Sequence, residues 1–141
     1  PCCCTPLFDA IGKTVKTLKK KIADVEDAAV LVTIITDGYE NSSKEWDAKG
    51  VSKLIEECKE DGWMFSFIGA GEDVVKVATT ISITNTMVWE NTSEGTKKMF
   101  DEENEARERY CMEYNSLIDP CMSVSEKKVT RKKLSAKYYK K

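Results

Sequence analysis

Thr5 and Asp37 are the two residues of this chain whose types and placement suit metal chemistry. Thr5 stands directly before Pro6 at the mouth of an amphipathic stretch, and Asp37 closes a continuous apolar run just before Gly38. A hydroxyl and a carboxylate are hard oxygen donors, suited to a divalent cation such as Mg2+. On adjacent loops at the carboxyl edge of a parallel sheet, they would lie where open α/β sheets bind their ligands. Other chemistry is sparse. The chain has no histidine, which removes the usual general base and the usual transition-metal ligand. Its six cysteines fall at positions 2, 3, 4, 58, 111 and 121, and no Cys-x-x-Cys pair exists for zinc. Three in direct succession, Cys2 to Cys4, cannot bridge one another without strain. Reduced thiols and a cytoplasmic location are the expectation, and Cys58 reads as a small core residue.

The elements that must position Thr5 and Asp37 are legible around them. Leu7, Ile11, Val15, Leu18 and Ile22 recur at helical spacing, which predicts a helix over 6–22 with Thr5 as its cap and Pro6 as its first residue. Lys19, Lys20 and Lys21 suit the negative pole at its end. Residues 28–36 are apolar and β-branched, the pattern of a strand buried on both faces of a parallel sheet. Ser42 and Glu45 have capping-box spacing ahead of a helix that buries Val51, Leu54, Ile55 and Cys58 and stops at Gly62. A strand over 63–68, a short helix with Val74 and Ala78, and a third strand over 81–89 follow. A long helix then runs from Ser93 to about Ile118, with Phe100, Tyr110, Tyr114 and Leu117 as its expected buried side. Strands alternating with helices predict an α/β fold with a parallel sheet.

Gly69-Ala70-Gly71-Glu72-Asp73-Val74 lies between a strand and a helix, as a nucleotide-binding turn would. The third glycine is replaced by Val74, and Glu72 and Asp73 occupy the site a pyrophosphate needs, so the segment reads as a helix entry.

Net charge is −2, but its distribution is uneven. Eight of the 22 basic residues and one of the 24 acids fall within 126–141, leaving 14 basic residues against 23 acidic before it. The basic segment has little to bury and reads as a flexible tail with the acidic body as a partner in cis. Nucleic-acid binding is the weaker reading of its lysines and of Tyr138-Tyr139. No stretch approaches the length of a membrane-spanning helix.

Thr5-Pro6-Leu7-x-Asp9-Ala10-Ile11 and Ile35-Thr36-Asp37-Gly38-x-Glu40-Asn41-x-Ser43 resemble the second and third segments of the metal-ion-dependent adhesion site of von Willebrand factor A (VWA) domains. Phe65-Ser66-Phe67-Ile68-Gly69-Ala70 is similar to that family's penultimate strand, and the resemblance spans residues 4–115. The first segment of the family site, Asp-x-Ser-x-Ser, has no counterpart, because no Asp here has Ser at both the second and fourth following positions. The chain opens at Pro1 without a methionine, so a true N-terminus further upstream is expected.

The resemblance implies a Rossmann-like three-layer sandwich, truncated at its N-terminus, over 1–119, followed by the tail over 120–141. It implies Thr5 as a direct or water-mediated Mg2+ ligand and Asp37 as a ligand through water. In intact relatives the open coordination position receives an acidic residue of a protein partner, which is binding and not turnover. The expected function is a protein-interaction module with an incomplete metal site. A metal-free scaffold and a metal-dependent hydrolase are the alternatives. Loss of the first, central strand implies an exposed sheet edge and self-association through it.

Overall fold

The computed structural model of the chain describes residues 4–140. Cys2 and Cys3 lie outside the described residues. Three strands, β1 (Leu31–Thr36), β2 (Met64–Gly69) and β3 (Asn85–Val88), form an open, all-parallel sheet in the order β1-β2-β3. The five helices are α1 (Leu7–Lys21), α2 (Ala48–Glu60), α3 (Glu72–Thr80), α4 (Ser93–Leu117) and α5 (Val124–Ser135). The expected α/β class and parallel sheet are therefore present.

β2 is central because it alone can be buried on both faces: all six of its residues are buried, Phe67 and Ile68 completely. Period-2 alternation sends them to opposite layers. Phe65 and Phe67 join Ile34 of β1 under the apolar stripes of α1, α2 and α3. Met64 joins Leu31 of β1 under α4 and α5.

β1 differs from its expectation. It is shorter than 28–36 and not buried on both faces throughout, Ile35 being 42% exposed; its place at the sheet edge is the one that loss of a first strand implies. An apolar β-branched run reports that both faces of a strand are covered somewhere along it, and says nothing of how many neighbours it has. β3 is also shorter than expected. Ile81 and Ile83 are buried in a turn, in which both amides donate to the Ala78 carbonyl and Ser82 takes a φ of 62°.

On α4 the buried residues are Met99, Glu103, Ala106 and Tyr110. Phe100 and Leu117, expected inside, are 47% and 54% exposed. The stripe is set by a carboxylate, Glu103, that apolar counting passes over.

The segment expected as a flexible tail is an ordered part of the sandwich. α5 opens with a capping box: Ser123 Oγ accepts from the Glu126 amide at 3.2 Å, and Glu126 accepts from the Ser123 amide at 2.7 Å. Leu134 and Tyr138 are buried against Met64. Arg131, 2% exposed, reaches Asp27 at 2.5 Å and donates to the Tyr114 hydroxyl at 2.8 Å. Lys127–Asp27, Lys128–Asp61, Lys132–Glu60 and Lys137–Glu113 pair more of the basic segment with the acidic body, at 2.9, 3.2, 2.5 and 2.6 Å. The acidic body thus stands opposite the basic segment, beside the apolar contacts of Leu134 and Tyr138 that bury it.

Candidate functional site

The carboxyl end of β1 and the entrance of α1 are built as one unit. The first helical amides of α1 need acceptors that the helix cannot supply. The Thr5 carbonyl accepts from the Leu7 amide at 2.9 Å, but its hydroxyl caps nothing: the residue at the cap position is Pro6, with no side-chain bond. Glu40, from the loop after β1, takes its place. Its carboxylate accepts from the Phe8 amide at 2.7 Å, and also from the Ser42 and Ser43 amides and the Ser43 hydroxyl at 3.0, 2.7 and 2.7 Å. Ser43 Oγ accepts from the Asp9 amide at 3.0 Å.

Asp9 returns the favour to the same loop, accepting from the amides of Lys44, Glu45 and Trp46, each at 2.9 Å. Ser42 and Glu45 therefore form no capping box. α2 starts later, at a cap made by Asp47 Oδ1 and the Gly50 amide at 2.7 Å. Asn41 completes the union by accepting from the Thr5 amide at 2.8 Å and donating its own to the Thr5 carbonyl at 3.3 Å.

These bonds leave an electrostatic signature. The Lys44 amide is the strongest influence on Asp9 and, with those of Trp46 and Glu45, holds its carboxyl below 3.8 against the opposing effect of burial. Burial would raise Glu40, but the Phe8 and Ser43 amides, the Ser43 hydroxyl and the Ser42 amide outweigh it and hold the group below 4.5. Both carboxylates are spent on holding the loop.

Thr5 and Asp37 lie on this unit. A Cβ placed on Gly38, next to Asp37, would lie 2.9 Å from Thr5 Oγ1, so the two loops touch where the sequence pairs them. Among the described residues, neither Thr5 Oγ1 nor the exposed Asp37 carboxylate has a hydrogen-bond partner. Thr36, by contrast, turns inward, its hydroxyl bonded to both the carbonyl and the amide of Gly38.

Two protein donors are few for Mg2+, whose near-octahedral shell would otherwise be filled by water. Among the described residues no group of three or more His, Cys, Asp or Glu side chains converges. The nearest further carboxylates built into the unit, Glu40 and Asp9, already accept seven hydrogen bonds between them.

The loop after β2 is a helix entry. Gly71 caps α3 with a φ of 105°, and Glu72 and Asp73 fill the first turn, Asp73 pairing with Lys76 at 2.5 Å. Cys58 is fully buried, and that burial pushes its thiol up to about 11. It is a core residue in its chemistry as in its position.

A second polar constellation, invisible to motif reading, lies under α4. Glu103 is 3% exposed and accepts from Thr33 Oγ1 at 2.7 Å, Tyr138 at 3.0 Å, Tyr139 at 2.6 Å and Arg107 at 3.2 Å. Ser66 donates to Thr33 from the central strand at 3.1 Å. Burial first, and the Glu103 carboxylate next, raise both tyrosine hydroxyls above 10. Each oxygen of Glu103 has its donors, so the cluster clamps the C-terminal segment to the sheet and leaves no free group for chemistry. No family model, curated protein or solved structure matches this chain.

Proposed function

We propose that this chain is a protein-interaction module on a VWA-like sheet, and that its carboxyl-end surface works without a resident cation. One observation carries the reading. Asp37 is an exposed carboxylate with no partner among the described residues, on a loop that Glu40, Asp9 and Asn41 fasten to α1. A rigid platform with an unspent polar group has little to reorder on binding.

Support for the VWA-like part comes from the contact between Thr5, just before α1, and the Gly38 loop at the end of β1, the arrangement the sequence resemblance implies. The missing ligands change the partner's chemistry. With a cation in place, the surface would draw an acidic side chain. Without one, Asp37 is exposed beside the 53% exposed Tyr39, with Glu72 at the start of α3 and Glu90 after β3, and favours a donor-bearing basic segment.

Titration of the 15N-labelled chain with paired peptides, identical except for Lys/Arg against Asp/Glu, tests this with and without Mg2+. The basic peptide should shift the Asp37–Tyr39 amides in both conditions, and Asp37→Ala should remove the response. An acidic peptide that binds only with Mg2+, and fails in Asp37→Ala, would show the cation site to be complete and overturn the reading.

A further inference from the structure

We propose that the cavity between the amino ends of β2 and β3 and the carboxyl ends of α2 and α5 binds a neutral, flat nitrogen heterocycle of one or two rings, with the edge chemistry of a purine base. Trp63, Phe65 and Ile83 form its floor, and Lys59, Asn85 and Ser135 stand among its walls. Its volume is about 220 Å³. An apolar cavity of ~150 Å³ holds benzene, so this one has room for a fused ring pair and too little for a drug-sized ligand.

Protein interiors normally close such a space. Here β3 starts only at Asn85, and α5 ends beside the gap on the small residues Ser135 and Ala136. The Asn85 carboxamide bridges the two elements, donating to the Phe65 carbonyl at 3.1 Å and to the Ser135 carbonyl at 2.9 Å. Below it the Trp63 and Phe65 rings stack, with centroids 6.1 Å apart and planes 17° from parallel. Aromatic rings of this kind are stacking platforms for bases.

Two polar atoms on residues lining the cavity are unspent. Asn85 uses both N–H bonds and keeps Oδ1 as an acceptor, which no donor among the described residues reaches. The indole N–H of Trp63, a residue 4% exposed, has no acceptor among them either. Neither atom is sealed; the sealed side-chain atoms without a partner are Ser42 Oγ, the Tyr110 hydroxyl and Arg131 Nε. One acceptor and one donor match the edge of adenine, whose N6 amino group donates and whose N7 accepts.

Charge selects for a neutral ligand. Lys59 donates to the Ser82 carbonyl at 3.0 Å and Lys132 pairs with Glu60 at 2.5 Å, which leaves a surplus of one positive charge. α2 and α5 both end here, and a helix end carries about half a negative charge. The two ends offset the surplus. The cavity lies at the opposite end of the parallel strands from Asp37, and α5 lies beyond the segment that resembles VWA domains, so the proposal stands apart from the Asp37 reading.

Titration of adenine, indole and benzoate into the 15N-labelled full chain tests it, read at the Trp63 indole, the Asn85 carboxamide and the Phe65 and Ser135 amides. Adenine should shift these resonances saturably below about 1 mM, a range open to a ligand of about ten non-hydrogen atoms. Indole, with a donor and no acceptor, should bind at least tenfold more weakly, and benzoate, which is charged, should not saturate. Trp63→Phe keeps an aromatic floor and removes the donor. It should weaken adenine about tenfold and leave indole unchanged, a split that general loosening would not produce. Asp37→Ala should leave the adenine response intact. Equal affinity for adenine and indole, saturable benzoate binding, loss of the response in Asp37→Ala, or no saturable response to adenine would overturn the proposal. So would adenine shifts confined to residues 24–28, which line the wider hollow on which Trp63 also borders.

Discussion

Glu40→Ala should loosen the whole carboxyl-end surface, because one carboxylate holds both the start of α1 and the loop after β1. The substitution deletes four acceptor contacts, to the Phe8, Ser42 and Ser43 amides and the Ser43 hydroxyl. Losing the helix cap at Phe8 costs about 1 kcal/mol. The two loop amides add roughly 0.5–1.5 kcal/mol each. Because Glu40 is only half-buried, water replaces part of what is lost, and the expected total is about 2–3 kcal/mol. In a chain of this size that lowers Tm by roughly 3 °C per kcal/mol.

Glu40→Gln should cost less, since one oxygen remains while the new amide group faces backbone donors. The carboxyl is held below 4.5 in the folded chain, so its stabilisation is fully present above that pH and is lost as pH falls through the lower folded value. Urea unfolding followed by circular dichroism measures both effects. A wild-type-to-Ala difference under about 0.5 kcal/mol, within the range of ordinary surface changes, would refute the reasoning. So would a difference that stays constant from neutral pH down to about pH 3.

Gly12→Ala should destabilise although alanine favours helices by about 1 kcal/mol. The new Cβ would lie 2.3 Å from the Trp46 ring, so a net loss of about 1–3 kcal/mol and a red-shifted Trp46 emission are expected. A more stable variant would refute this. Arg131→Ala removes the cation between Asp27 and Tyr114 and should cost about 3 kcal/mol, with proteolysis appearing first between α4 and α5. Unchanged protease resistance would mean that Leu134 and Tyr138 anchor α5 alone. Cys58, with its thiol pushed up to about 11, should resist alkylation in the folded chain while exposed Cys111 and Cys121 react, as peptide mass mapping would read.

The sequence was most informative where periodicity and burial coincide. The Leu7–Ile11–Val15 stripe and the Val51–Leu54–Ile55–Cys58 stripe are buried as their spacing predicts. The adjacency of the Thr5 and Asp37 loops was also legible, because a strand end and a helix start at one sheet edge leave few other arrangements. The caps were not. Ser42 and Glu45 have the right spacing, yet the Glu45 amide is drawn to Asp9, 36 residues away, and α2 waits for Asp47. Glu40 caps a helix 32 residues before it, a contact no local rule contains. α5 did carry a local signal, Ser123-Val124-Ser125-Glu126, which the high lysine content obscured. Its lysines are tolerated because Asp27, Glu60, Asp61 and Glu113 stand opposite them, a fact of tertiary structure.

The measurement that tests the central claim most directly is calorimetric titration of Mg2+ into the wild-type chain and into Asp37→Ala. Thr5 and Asp37 supply two of the six oxygens that the cation requires, so neither protein should show saturable heat below millimolar concentration. Micromolar binding by the wild type, abolished in Asp37→Ala, would contradict the account by showing that this surface assembles a complete cation site.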